Sequence, residues 1–236
     1  MAVTVQSLME AGVHFGHQTR RWNPQMAPYL FGERGGVHII DLDQTLEALQ
    51  TATSAVEKIV ASGGSVLFVG TKRQGKAALQ EAAAKASMPY VTERWLGGLL
   101  TNFPTIKRRL DVLNRLATEE ADGDWNHLPK KEAGRKLDAL KRLQTMLGGM
   151  KDVDKLPEAL FVNDVVRESL AIAEAKKLGL PIIGVLDSNA DPRGITYPIP
   201  ANDDAVKAIQ LIADEVAEAC VRGKQKQVAP TGQEDA

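Results

Sequence analysis

The stretch Ser65-Val-Leu-Phe-Val-Gly70-Thr-Lys-Arg-Gln-Gly75-Lys76, continued by Arg94-Trp-Leu-Gly-Gly98 and Leu100-Thr-Asn102, decides the fold. Val66 to Val69 is a bounded apolar run with β-branched ends, which suits a strand buried on both faces. Gly70 breaks it into a basic turn, and the alanine-rich segment Gln74 to Ala86 is a good helix former that can pack closely on a sheet. Pro89-Tyr90-Val91 restarts extended chain. If that segment is the neighbouring parallel strand, Lys72, Arg73, Arg94, Trp95 and Asn102 all leave one carboxyl edge, where ligands of α/β sheets dock.

Working outward, the alternation repeats downstream. Ala159 to Val162 reads as strand, Val166 to Leu178 as helix, Pro181 to Leu186 as strand, Asp187 to Gly194 as turn, Ile195 to Ile199 as a last strand and Asp203 to Val221 as helix. This order predicts an α/β fold with a parallel sheet and helices on both faces. Upstream, Thr4 to Ala11 reads as a short amphipathic helix. Met26 to Phe31 and Val37 to Asp41 read as a hairpin whose second arm continues into the first core strand, and Asp43 as the N-cap of a helix to about Ala61. Between Pro104 and Lys151 the pattern changes to two leucine stripes, Ile106/Leu110/Leu113/Leu116 and Leu137/Leu140/Leu143/Leu147, separated by a polar break. They predict an antiparallel helical hairpin inserted into the α/β body. The predicted units are therefore a body over residues 1–103 and 152–223, the inserted hairpin over 104–151, and a disordered tail over 224–236 with no apolar period.

Composition narrows the classes. A chain of 236 residues can bury a sizeable core without disulfide or metal, and its single Cys220 lies in a helical pattern that suits a buried small hydrophobe. A reducing, cytoplasmic setting follows, with no membrane span and no signal peptide. The 29 basic and 30 acidic residues leave a net charge of −1, so global charge does not announce a nucleic-acid binder. The hairpin nevertheless carries 11 basic against 7 acidic residues, an excess of 4.

Several chemistries compete. Gly70-Thr-Lys-Arg-Gln-Gly75-Lys76-Ala77 fits a phosphate loop at every defined position but the last, where Ala77 cannot supply the hydroxyl that holds Mg²⁺. A P-loop-like nucleotide-binding enzyme is thus the alternative reading, with Asp164 or Asp187 as its strand-end acid. His14 and His17 could act as ligands, bases or stacking groups. With Asp187 and Asp203 expected at the same sheet edge, one of these histidines would complete a feasible zinc set if the N-terminal loop folds over them, although both acids also suit ordinary turn and helix-start roles. Ser169 and Ser188 have no base at a recognisable spacing, so a hydrolase triad has no support. What remains is Arg20-Arg21-Trp22-Asn23, Lys72-Arg73, Arg94-Trp95, Asn102 and Lys107-Arg108-Arg109. Cations that neutralise phosphates, indoles that stack and amides that read polar edges make this an RNA-binding set.

The motifs Ala11-Gly-Val-His-Phe-Gly-His17, Arg21-Trp-Asn-Pro24, Val37-His-Ile-Ile-Asp41, Phe68-Val-Gly-Thr-Lys72, Arg94-Trp-Leu-Gly-Gly98, Leu100-Thr-Asn102, Asp191-Pro192 and Asn202-Asp-Asp204 resemble the bacterial small-subunit ribosomal protein two family. The resemblance implies a flavodoxin-like three-layer body with a five-stranded parallel sheet and an inserted helical hairpin. It implies a structural, non-enzymatic, ribosome-associated protein at the head–body junction, with no small-molecule substrate. The implied partners are small-subunit ribosomal RNA and neighbouring ribosomal proteins, including ribosomal protein one, which gathers messenger RNA. No cofactor is required, but a zinc ion can be held by the residues that match as His17, Asp187 and Asp203. Gly75-Lys76 and Ala201 depart from the family pattern, which makes the phosphate-loop match accidental and loosens the turn before Asn202.

Overall fold

The computed structural model describes residues 3–228. Helix α1 (Val5–Glu10) opens with a reciprocal cap between Thr4 and Ser7. Strands β1 (Phe15–Gln18), β2 (Leu30–Arg34) and β3 (Val37–Ile40) form an antiparallel sheet in the order β1-β3-β2. This corrects the sequence reading of a hairpin running into the core sheet. The histidine-bearing loop supplies a third strand instead, and Asp41, rather than Asp43, ends the sheet by capping α2 (Leu42–Ala61) through the amides of Asp43 and Gln44.

The core sheet is five-stranded and fully parallel, in the order β5-β4-β6-β7-β8. Its strands are β4 (Val66–Val69), β5 (Tyr90–Val91), β6 (Ala159–Asn163), β7 (Ile182–Leu186) and β8 (Tyr197–Pro200), of which β8 begins two residues later and ends one residue later than the sequence predicts. Alternation within each strand sorts the core into two layers. Val66, Phe68, Phe161, Ile183, Val185 and Ile199 face α2, α3 (Lys76–Ala86) and α7 (Val206–Val228). Leu67, Val69, Leu160, Val162, Ile182 and Leu186 face α6 (Ser169–Leu178), together with Trp95, Leu99 and Leu100.

Helices α4 (Phe103–Ala121) and α5 (Lys130–Leu147) form the predicted hairpin, and Leu110, Leu113, Leu116, Leu140 and Leu147 are buried between or beneath them. Helix α7 runs through residues 224–228, where the sequence reading has a disordered tail. Arg222 and Lys226 both pair with Glu57 on α2, which ties the last turns down. Residues 229–236, the rest of that predicted tail, lie outside the described residues. No described helix is long and apolar enough to cross a membrane.

Candidate functional site

Because the sheet is parallel, the loops after β4, β5, β6, β7 and β8 all leave by one edge. Lys72, Arg73, Arg94, Asp164, Asp187 and Asp203 all lie on these loops. The centre of this edge is acidic, as the placement of Asp187 and Asp203 predicts, but its acids gather around Lys72, which the sequence predicts to face RNA. Lys72 Nζ stands 2.7 Å from Asp203 Oδ1, 2.7 Å from Asp204 Oδ1 and 3.3 Å from Asp164 Oδ2. Burial pushes the Lys72 ammonium down, but hydrogen bonds to Asp203 and Asp204 outweigh it and hold it above the ordinary lysine range. Asp203 tells the complementary story. Burial, then the charges of Asp164 and Asp187, push its carboxyl up to about 7 against the pull of Lys72. Three acids share one ammonium, so the cation is over-stabilised and the most buried acid under-stabilised. Lys72 is therefore not a phosphate contact, a correction to the predicted RNA set.

His17 joins the same cluster from β1. Its backbone amide donates to Asp187 Oδ1 at 3.0 Å and to Ser188 Oγ at 2.8 Å, and its Nδ1 lies 3.0 Å from Asp187 Oδ1. The hydrogen bond to Asp187 raises the imidazole above its ordinary value, with burial opposing. Gly16 makes this approach possible, since a Cβ there would stand 2.9 Å from Ser188 Oγ and 3.1 Å from the His38 carbonyl. Donor atoms of His17, Asp187 and Asp203 lie within 4.8 Å of one another. One nitrogen and two oxygens leave a fourth position open, and Asp164, Asp187, Asp203 and Asp204 outnumber Lys72 and His17. The donor set and its surplus of negative charge fit a zinc ion.

The phosphate-loop alternative fails on geometry. The Thr71 amide and hydroxyl both donate to Glu168 Oε1 at 2.7 Å, so a buried carboxylate stands at the mouth of the Gly70–Gly75 turn. Lys76 pairs with Glu93, while Asp164 and Asp187 are engaged by Lys72 and His17. A nucleotide phosphate would meet an acid where it needs donors.

The loop after β5 is built differently. Trp95 is only 7% exposed and its indole N–H donates to Glu174 of α6, so it anchors the core layer and cannot stack on RNA, a second correction. Leu99 and Leu100 are buried beside it, and Gly98, at φ +84°, makes the reversal. Arg94 and Asn102 remain exposed on the outside of this loop. Lys107 is paired with Asp154, whereas Arg108 and Arg109 are exposed on α4.

In the N-terminal loop, Arg20 and Arg21 are exposed. Trp22 is 40% exposed, with its ring centroid 5.1 Å from that of His38. The Asn23 side-chain oxygen caps a 3₁₀ turn by accepting from the Gln25 amide, and the Asn23 backbone N–H donates to the Ser188 carbonyl. Among the described residues, Arg20, Arg21, Arg73, Arg94, Arg108 and Arg109 have no carboxylate within ion-pair distance, while Lys72, Lys85, Lys107, Lys136, Arg193 and Arg222 all do. Sequence reasoning missed Glu168 and Glu174, whose roles depend on contacts 73 to 97 residues distant.

A parallel sheet with an acidic, histidine-capped edge, an inserted helical hairpin and unpaired arginines around its rim carries no catalytic arrangement among the described residues. The family model described as Ribosomal protein S2 matches residues 8–223, nearly the whole described chain. The chain belongs to the ribosomal protein S2 family and is a structural, non-enzymatic protein of the small ribosomal subunit.

Proposed function

We propose that the chain binds small-subunit ribosomal RNA at the head–body junction through Arg20, Arg21, Trp22, Asn23, Arg73, Arg94, Asn102, Arg108 and Arg109. The observation that carries this reading is the set of exposed arginines without a carboxylate partner, in a chain whose net charge is −1. With about four to six phosphate contacts, affinity for subunits lacking this protein should fall roughly 10²–10³-fold between 50 and 200 mM salt. Association independent of salt would refute the phosphate role.

The reading extends to ribosomal protein one as a neighbour. Phe31 lies on the edge strand β2, where the register with β3 shifts, and is 81% exposed; an edge strand that holds an aromatic outward is a surface that a protein partner would cover. Loss of that partner from subunits assembled with Phe31→Ala, with ribosomal RNA binding unchanged, is the expected outcome.

His17, Asp187 and Asp203 are the proposed holders of one zinc ion, which would tie β1 to the sheet edge and neutralise the surplus carboxylates. Zinc-reloaded protein should retain one equivalent after dialysis and His17→Ala none. No retention by the unaltered protein would end the zinc reading.

A further inference from the structure

Glu174 lies in the middle of α6, is 6% exposed, and has no lysine or arginine in ion-pair contact among the described residues. A buried carboxylate without a cation is expensive unless its lone pairs are satisfied. Here the satisfaction comes from one loop. Oε1 accepts from the Trp95 indole N–H at 3.0 Å and the Gly98 amide at 2.8 Å. Oε2 accepts from the Leu100 and Thr101 amides at 3.0 Å each and from the Thr101 hydroxyl at 2.9 Å. Every donor belongs to residues 95–101. Burial pushes the Glu174 carboxyl up, yet bonds from Thr101, Trp95 and Gly98 outweigh it and hold it below the ordinary range.

The geometry of the loop gives this carboxylate a consequence beyond stability. Trp95, Leu99 and Leu100 turn into the core, and the backbone amides of Gly98, Leu100 and Thr101 turn toward Glu174. The side chains left outside are those of Arg94, immediately before the clamp, and Asn102, immediately after it. Asn102 is the N-cap of α4 but its side chain makes no capping bond, so its amide is available to a ligand. Both ends of the loop are thus tied to one acid of α6, the helix packed against the loop in the same core layer.

We propose that Glu174 is a positioning residue for nucleic-acid binding: by gathering the donors of residues 95–101 it sets Arg94 and Asn102 in advance at the spacing that contacts RNA. This rests on the RNA reading of the loop given above. Without the clamp, the loop would have to be ordered at the moment of binding, and the entropy of that ordering would be lost from affinity.

The test uses the full chain and small subunits depleted of this protein, with affinity measured from 50 to 200 mM salt. Glu174→Gln places an amide NH₂ where an oxygen accepted N–H donors, so it unlatches one side of the loop. Affinity should fall about tenfold, the order expected when a charge-assisted contact is lost, and the salt slope should shrink by about 0.9, as for one lost phosphate contact. A variant that merely destabilised the fold would lower affinity without changing the slope. Arg94→Ala/Asn102→Ala should show the same loss, and adding Glu174→Gln to that pair should lower affinity no further. Thr101→Val, which deletes only one donor, should fold as the wild type and give an intermediate loss. If the Arg94/Asn102 pair binds and responds to salt like the wild type, the RNA reading of this loop fails, and the clamp inference with it. If that pair is impaired while Glu174→Gln and Thr101→Val bind like the wild type, or if the losses add with an unchanged slope, the RNA reading survives and the positioning role is overturned.

Discussion

The loops leaving β4 and β5 lie side by side and solve opposite electrostatic problems. After β4, Lys72 is a cation withdrawn from water and held by Asp164, Asp203 and Asp204. After β5, the loop encloses an anion, Glu174, held by neutral N–H and O–H donors. Each loop leaves one arginine outside, Arg73 or Arg94. The difference lies in what remains when the central charge is lost. Removing Lys72 leaves like charges facing one another across a buried space, whereas neutralising Glu174 leaves dipoles under-used but no net repulsion. The first loop should therefore be the more sensitive to mutation of its central charge, and the second should release its charge only in acid.

The largest effect is expected at Lys72. Lys72→Met should destabilise the metal-free protein by about 3–5 kcal/mol, because it leaves buried carboxylates uncompensated. Urea unfolding followed by far-UV circular dichroism measures this. A change under ~1 kcal/mol would mean that Asp203 is kept neutral without Lys72, and the contrast between the loops would disappear.

How much of this contrast was legible in the sequence depends on range. The parallel alternation, the hairpin with its leucine stripes and the grouping of loops on one edge follow from local periodicity, and the structure bears them out. The adjacent pairs Lys72-Arg73 and Arg94-Trp95 could not be resolved, because sequence neighbours at a strand exit point to opposite sides and only the fold says which side is buried. Lys72 turns inward because Asp203 and Asp204, 131 residues and more distant, arrive at the same edge. Trp95 turns inward because Glu174, 79 residues away, accepts its N–H. A glutamate in the middle of an amphipathic helix looks like a solvated face until the loop that covers it is known. Asp187 and Asp203 are legible as acids of one sheet edge from the strand and helix pattern, but the choice of His17 over His14 comes only through the family resemblance, since no spacing rule joins residues so far apart. The three-stranded N-terminal sheet went unread because β1 is a short strand in a glycine-punctuated loop with no clean alternation.

A middle-sized effect is expected from acid at Glu174. The folded carboxyl sits below its ordinary value, so its stabilisation is fully present above the unfolded value of about 4.3 and is lost as pH falls through the folded one. The Trp95 indole N–H resonance should thus keep its bonded position at pH 5 and move only as pH falls below the ordinary glutamate range. Release of that resonance above pH 5 would show that burial, not the donors, governs Glu174. Trp95→Phe, which keeps an aromatic ring but removes one donor, should destabilise by about 1–2 kcal/mol.

The smallest change in stability, and the sharpest comparison, is expected at the two outward arginines. Arg73→Ala and Arg94→Ala remove exposed side chains with no carboxylate partner among the described residues, so each should alter stability by no more than about 0.5 kcal/mol. Their effects on subunit affinity should nevertheless differ. Arg73 stands one residue from Lys72 and so beside a surplus of carboxylates, whose field repels the phosphate that Arg73 would contact and offsets part of its attraction. Arg94 projects from a loop whose enclosed acid is surrounded by donors, and its backbone is already fixed. Arg94→Ala should accordingly lower affinity more than Arg73→Ala at 50 mM salt, and the gap should narrow toward 200 mM, where the screening length shortens to roughly 7 Å. A gap that persists unchanged at high salt would assign the difference to the ordering of the two loops, and equal losses at low salt would mean that Lys72 and its acids cancel one another as seen from the RNA.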